Sequence, residues 1–244
     1  MGLKTLIKRP FKSAIKNLVN MVEKARHESV NDLVSDHVLS AVRQRALKET
    51  VDFIYESMPT AIGMNRRTDV IPHAMVNRAI KGLVLEFGVF SGESVNRMAK
   101  LAPNETIHGF DSFEGLPENW DGHSLGKGTF SLKGKLPKVR ENVCLHQGWF
   151  NETAPAFFQN CKDVISLLHI DCDLYQSTKT VLDAAKDHIV PGTIIVLDEF
   201  FGYPFFQQHE FRAFFEFAAE HQLKYRFMAY GGSSVALIVE EKHK

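Results

Sequence analysis

GLVLEFGVFSG, residues 82–92, is the stretch that decides the fold. Its apolar run ends in glycine, and the SGESVNRMAKLA that overlaps its end has helical spacing. An apolar run bounded by glycine predicts a buried strand, here leading through a tight turn into a helix. Glycines let a backbone approach a ligand closely, and a helix amino end favours negative charge. The turn is therefore the first candidate ligand site.

The same pattern continues downstream, where short apolar runs alternate with helical segments. Further strands are predicted in ETIHGFDSF, NVCLHQGWF, DVISLLHID, GTIIVLDEF, LKYRFMAY and SSVALIVEE. Strands that alternate with helices form a parallel sheet covered on both faces, whereas the last two, joined by Gly231-Gly232, must be antiparallel. The prediction is an α/β fold with a doubly wound, mostly parallel seven-stranded sheet in residues 61–244.

Residues 1–60 are predicted to form a helical extension that Pro59 ends. Residues 1–26 carry seven Lys or Arg against one acid, with apolar residues at three- and four-residue steps and a possible break at Pro10. Such a basic amphipathic segment packs on its own domain or on a dimer mate, which we favour, or lies on an anionic membrane. Arg66 and Arg67 follow in a loop and could meet a carboxylate, although we favour a solvated turn.

Composition excludes several classes of protein. The chain has 244 residues, 29 Lys plus Arg and 29 Asp plus Glu, so its zero net charge argues against a nucleic-acid-coating protein. No apolar run approaches the ~18 residues of a spanning helix. Three cysteines without a C-x-x-C pair predict buried thiols in a reducing, cytoplasmic setting, not disulfides or a zinc site.

Cofactor-binding residues are expected just after the strands, because ligands of such sheets lie beyond the carboxyl ends. A nicotinamide enzyme would have G-x-G-x-x-G, whereas this turn has G-x-x-x-G preceded by an acid, which suits the cationic end of S-adenosylmethionine. An acid after the second strand is placed to accept hydrogen bonds from ribose hydroxyls. The candidates are Glu86, Gly88, Phe90, Ser91, Asp111, Ser112, Gly148 and Trp149.

Carboxylates follow the fourth and fifth strands. Asp171 and Asp173 end the fourth, and Asp198 and Glu199 end the fifth. Ends of neighbouring strands lie ~5 Å apart, and oxygen ligands crowded there suit Mg²⁺. Asp171, Asp198 and Glu199 are the predicted metal ligands, and Asp173 is predicted to cap the next helix.

Five stretches, in this order, resemble the macrocin O-methyltransferase family over about residues 80–240: LEFGVFSG, HGFDSFEGLPENW, QGWFNET, LLHIDCDLYQST and IIVLDEFFGYP. The resemblance implies S-adenosylmethionine as methyl donor and a divalent cation, usually magnesium. Glu199 stands where that family usually has a second Asp. Related catechol-type enzymes keep a lysine where this chain has Leu174.

The predicted function is therefore O-methylation of a sugar or other polyol-bearing small molecule. A bound cation would lower the pKa of the acceptor hydroxyl. Asp171 is the predicted catalytic residue, and the base is Asp171 itself or a histidine such as His123 or His209. The alternatives are a nicotinamide oxidoreductase and a non-catalytic scaffold with a methyltransferase fold. A homo-oligomer is compatible with the sequence.

Overall fold

The computed structural model describes residues 8–120 and 123–242, with the side chains of 8–15 and 27–35 left out. Its helices are α1 (Lys8–Ser57), α2 (Val70–Val76), α3 (Glu93–Leu101), α4 (Phe150–Gln159), α5 (Tyr175–Ala185) and α6 (Glu210–Glu220). Its strands are β1 (Ile62–Gly63), β2 (Leu83–Phe87), β3 (Ile107–Asp111), β4 (Val143–Gln147), β5 (Ile165–Ile170), β6 (Ile194–Leu197), β7 (Leu223–Gly231) and β8 (Ser234–Lys242).

The sheet has the order β1-β7-β8-β6-β5-β2-β3-β4. Strands β2 to β6 pair in parallel, and β8 lies antiparallel between β6 and β7. All seven predicted strands and the doubly wound α/β class are thus confirmed. The two-residue β1 is an addition, which pairs in parallel with β7. It carries no hydrophobic pattern that could have predicted it.

The strand order reverses beside β2, and this fixes where a ligand can bind. From β2 the chain moves to β3 and β4 on one side, then crosses to β5 and β6 on the other. The carboxyl ends of β2 and β5 therefore flank a switch point, where the two crossovers leave a crevice.

The core lies on both faces of the sheet. Every residue of β5 and β6 is buried, as expected for central strands covered by helices on both faces. Most of the phenylalanines after β6 belong to the core: Phe200, Phe201, Phe206, Phe214 and Phe217 are buried, whereas Phe205 is exposed. The ring of Phe53, on α1, lies within 6.4 Å of five of the chain's phenylalanine rings.

The chain divides into two compact units, Met1–Arg45 and Ala46–Lys244. The division falls inside α1 and not at residue 60 as we expected, because the last turns of the helix carry Phe53 and Ile54 into the core of the second unit. A separate, basic amphipathic extension over residues 1–60 stays a prediction.

In the first unit, the side chains from Lys16 to Arg26 are exposed. Residues 1–7 of the predicted basic segment lie outside the described residues. Pro10 falls in the first turn of α1, where its missing N–H costs no intrahelical bond, so the expected break is absent from the described helix. None of the described helices is both long enough and apolar enough to cross a bilayer.

Candidate functional site

A cavity of about 820 Å³ opens at the carboxyl ends of β2, β3, β5 and β6. That volume lies in the ~300–1,000 Å³ range of small-molecule sites. Seven of the predicted site residues line it, namely Gly88, Phe90, Asp111, Ser112, Trp149, Asp171 and Glu199. The other four predicted residues, Glu86, Ser91, Gly148 and Asp198, are absent from its lining.

The glycine turn after β2 is shaped by a close approach to the next strand. Gly88 has φ +95°, and a Cβ there would lie 1.8 Å from the carbonyl oxygen of Asp171. A side chain is therefore excluded both by the backbone conformation and by space. The turn brings its backbone directly against the loop that carries Asp171, so the two halves of the cavity touch at this point.

Asp111 holds the glycine turn in place. Its Oδ2 accepts hydrogen bonds from the backbone N–H groups of Val89 (2.9 Å) and Phe90 (2.8 Å), and its Oδ1 accepts one from Phe113 (2.7 Å). A carboxylate offers about four lone-pair sites, so the group can still accept a further hydrogen bond from a ligand in the cavity. Asp111 thus has a structural role that the sequence prediction did not include.

Glu86 has a different environment from the one we predicted. It is fully buried, and its Oε1 lies 2.8 Å from Nδ1 of His169. The side chain does not line the cavity, and its expected contact with the cationic end of a cofactor stays a prediction. Nε2 of the same imidazole lies 4.0 Å from Oδ1 of Asp198. Burial opposes protonation of His169, but the two carboxylates outweigh it and raise the pKa of the imidazole well above its usual value.

Arg67 bridges two of the predicted metal ligands. Its Nη1 lies 2.8 Å from Oδ2 of Asp198 and 2.5 Å from Oε1 of Glu199. Our interpretation of this arginine as part of a solvated turn was wrong, because the loop before α2 folds over the end of β6. A cationic nitrogen therefore stands between the two carboxylates.

The carboxylates at this edge carry more negative charge than Arg67 balances. Burial, followed by the charges of neighbouring carboxylates, raises the pKa of Asp173 to about 7 and that of Glu199 to about 7. The same causes raise the pKa of Asp171 well above its usual value, although the charge of His169 opposes them. Buried oxygen ligands with excess negative charge, already holding one cationic group, fit a hard divalent cation.

Asp173 does not cap α5. The helix begins at Tyr175 after Leu174, and no side chain caps its first turn. Asp173 instead adopts a left-handed φ of +65°, is buried, and lines the cavity two residues after Asp171. Backbone strain of this kind at a non-glycine residue costs ~1–3 kcal/mol and is often found at functional sites. The prediction of a capping role was therefore wrong.

Glu210, the first residue of α6, links two acidic loops. One follows β5 and carries Asp171 and Asp173, and the other follows β6 and carries Asp198 and Glu199. Its Oε1 accepts hydrogen bonds from the backbone N–H groups of Cys172 (3.3 Å) and Asp173 (3.2 Å), and its Oε2 accepts one from Glu199 (3.0 Å). The side chain is fully buried, and burial together with nearby carboxylates raises its pKa well above the usual value. Sequence reasoning missed this residue, because a glutamate at the start of a helix normally indicates only a favourable first turn.

Aromatic groups form the outer part of the cavity. Trp149 and Phe90 line it on the side of the glycine turn, and Trp120 and Tyr203 line it beyond the carboxylates. His123, one of the two histidines considered as a base, lines the cavity and stacks on Trp120 at 4.6 Å. His209, the other, is buried and is not part of the lining.

Comparison with protein families agrees with this arrangement. Residues 85–200 match a family model described as a methyltransferase domain, and they span the glycine turn and both acidic loops. A curated relative from Streptomyces olivaceus, 8-demethyl-8-(2,3-dimethoxy-alpha-L-rhamnosyl)-tetracenomycin-C 4'-O-methyltransferase, is 26% identical over 165 residues. The alignment covers 58% of this chain and 62% of that relative.

Solved structures show the same fold. The calicheamicin methyltransferase CalS11 superposes with a TM-score of 0.56 at 24% identity, covering 70% of this chain and 76% of that chain. The O-methyltransferase NovP superposes with a TM-score of 0.51 at 18% identity, covering 72% and 78%. The sheet and its flanking helices therefore have the same fold as these two methyltransferases.

Proposed function

We propose that this chain, whose residues 85–200 match a methyltransferase-domain family model, transfers a methyl group from S-adenosylmethionine to a hydroxyl of a sugar or other polyol-bearing small molecule. The observation that carries the proposal is the cavity at the switch point, where the glycine turn and the carboxylates of β5 and β6 line one space. The rhamnosyl group in the name of the Streptomyces olivaceus relative supports a sugar as acceptor.

The donor half of the proposed site is built from the glycine turn. Gly88 lines the cavity where the turn packs against the Asp171 backbone, and Asp111 keeps acceptor capacity for ribose hydroxyls. Trp149 and Phe90 present apolar rings suited to the faces of an adenine. Ser91, Ser112 and Gly148 stay predictions for the same half.

The acceptor half contains the acids. Asp171, Asp198 and Glu199 would hold a divalent cation, and Arg67 would have to move from the last two to admit it. When bound, the sulfonium donor supplies an activated methyl group, and the cation supplies a Lewis acid that lowers the pKa of a coordinated hydroxyl.

In this proposal the carboxylates remove the proton of the acceptor hydroxyl. Asp171, our predicted catalytic residue and a candidate base, lines the cavity and in this proposal holds the cation that orients the hydroxyl. Asp173 accepts the hydroxyl proton on a carboxylate oxygen, since it faces the cavity and is not needed as a helix cap. A base with a pKa of about 7 is matched to proton transfer at neutral pH. Holding the reactants in line can contribute ~7–11 kcal/mol of barrier reduction.

The test is methyl transfer from labelled S-adenosylmethionine to a panel of rhamnosyl glycosides and other polyols, with Mg²⁺ present. In Asp198→Asn, donor binding measured by calorimetry should survive, whereas turnover should fall at least ~10²-fold because a ligand charge is lost. Asp183→Asn is the matched control, because this exposed acid on α5 pairs only with Lys179 among the contacts described. Excess EDTA should mimic Asp198→Asn.

Two results would contradict the proposal. Full turnover in excess EDTA would remove the metal role and leave these acids as structural groups. Binding of NAD, with no response to S-adenosylmethionine or its demethylated product, would replace methyl transfer by the oxidoreductase alternative.

A further inference from the structure

A second groove lies on the far side of the β3–β4 edge. It has a volume of about 810 Å³, and its lining shares no residue with that of the first cavity. His108 and His146 line it from the two strands, and Phe157, Cys161 and Asp163 line it from α4 and the loop that follows. The proposed methyl transfer uses none of these groups.

Three potential ligands of a soft or borderline metal ion meet at this edge. Nδ1 of His108 lies 3.1 Å from Nε2 of His146, and the ligand atoms of these two rings and of Cys144 all lie within 4.8 Å of one another. A tetrahedral ion with bonds of ~2.0–2.3 Å keeps its ligand atoms roughly 3.3–3.8 Å apart. The two imidazoles are already near that spacing, and the exposed Cys144 side chain can rotate toward them.

The packing holds both imidazoles in a state suited to ligation. The ring of His146 stacks on Phe110, with centroids 4.4 Å apart and planes 12° apart, and Phe157 contacts both histidines from α4. Burial lowers the pKa of each histidine, and the neighbouring imidazole lowers that of His108 further. Neutral imidazole is the form that binds metals.

We propose that His108, Cys144 and His146 form a binding site for a divalent transition-metal ion of the zinc class, separate from the carboxylate site. Imidazole and thiolate ligands select Zn²⁺ or Co²⁺, whereas the all-oxygen carboxylate set suits Mg²⁺. Three protein ligands leave a fourth coordination position for water or a group in the groove.

Binding is balanced by the loss of protons. The thiol of Cys144 releases its proton to solvent, and the hydrogen bond between the two imidazoles is replaced by two bonds to the metal. The ring that donated this hydrogen bond changes tautomer, so that its proton moves through solvent from the ligating nitrogen to the other ring nitrogen, and both rings stay neutral. The ion would then tie β4, the edge strand, to β3 through side chains as well as through the backbone ladder.

The experiment is titration of the full chain with Co²⁺ and Zn²⁺ in excess Mg²⁺, which occupies the carboxylate site. Co²⁺ should give a thiolate-to-metal charge-transfer band, and Zn²⁺ should abolish it by competition. Cys144→Ser should lose the band and weaken binding at least ~10-fold, since even outer-shell partners of a metal are worth 10–100-fold. Cys161→Ser is the matched control, because this thiol lines the same groove outside the cluster.

A second readout does not depend on the variants. Zn²⁺ should protect Cys144, but not Cys161, from alkylation of the native chain. The proposal is overturned if Co²⁺ gives no thiolate band, if Cys161→Ser removes the band as fully as Cys144→Ser, or if Zn²⁺ leaves the alkylation of Cys144 unchanged. His146→Gln should weaken Zn²⁺ binding by a similar factor, and unchanged affinity would equally overturn it.

Discussion

Glu210→Gln is expected to separate the two acidic loops while keeping the shape of the side chain. Glu210 accepts backbone hydrogen bonds on both oxygens, from Cys172 and Asp173 on one and from Glu199 on the other. A glutamine has one acceptor oxygen and one NH₂ donor. If its oxygen keeps the two bonds to the first loop, its NH₂ group faces the N–H of Glu199, and that bond is lost.

The magnitude follows from burial. The side chain of Glu210 is fully buried, so the orphaned N–H has no access to water, and an unsatisfied buried donor costs ~1–3 kcal/mol. For a chain of 244 residues each kcal/mol corresponds to a shift of ~2–4 °C in Tm. Because the loop after β6 loses its anchor, the affinity for Mg²⁺ should fall as well, although residue 210 is not a proposed ligand.

The assay is thermal unfolding combined with calorimetric titration of Mg²⁺. Glu220→Gln is the control, because it lies on the same helix with its side chain 59% exposed and its ion pair with Lys179 is a loose 3.6 Å. Substitutions at such surface sites usually change stability by less than ~0.5 kcal/mol. The reasoning would be refuted if Glu210→Gln matched the control in both Tm and Mg²⁺ affinity.

The remaining predictions concern three other contacts. Arg67→Ala should tighten Mg²⁺ binding by about 5-fold in calorimetry, since a half-exposed ion pair worth ~1 kcal/mol no longer competes with the cation for the carboxylates. Weaker binding would mean that the arginine assists the cation. Asp111→Ala should weaken binding of the demethylated donor by ~1–3 kcal/mol and should also lower Tm, because the ribose acceptors and the anchor of the glycine turn are lost together. An unchanged affinity would mean that the nucleoside binds elsewhere. Phe53→Ala should lower the free energy of unfolding measured in urea by about 2 kcal/mol, which is roughly half the cost of the same substitution at a fully buried site. Tyr55→Ala is the control and should have almost no effect, because Tyr55 is 82% exposed. Equal values for the last two would show that α1 contributes no packing to the sheet domain.

The positions of the strands along the chain and the residues at their ends could be predicted, because hydrophobic periodicity is a local signal. Gly88, Asp111 and Asp171 follow their strands directly in the sequence, so the position of each strand placed them at the cavity. The same reasoning did not foresee that Glu86 would be buried outside the cavity lining. A residue inside a strand points to one face or the other, and here that face holds His169.

The groups that could not be predicted act across long stretches of sequence. Arg67 reaches Glu199 over 132 residues, and Glu210 reaches Asp173 over 37. Nothing in the local pattern around either residue marks such a contact. The pairing of His108 with His146 depends on the parallel register of β3 and β4, which places Cys144 opposite His108. The expected burial of the three cysteines is confirmed for Cys172 alone. Cys144 is exposed because β4 is an edge strand, and Cys161 is half-buried after α4.

The close approach of Gly88 to Asp171 has a thermodynamic consequence. The backbone N–H of Asp171 also donates a 2.8 Å hydrogen bond to the carbonyl of Phe87, so the two loops meet at adjacent peptide groups. A ligand that moves one loop must move the other, and the free energies of filling the two halves of the cavity are therefore linked. If a nucleoside bound at the glycine turn changes the affinity of the carboxylate half for its ligand by some factor, that ligand must change the affinity for the nucleoside by the same factor.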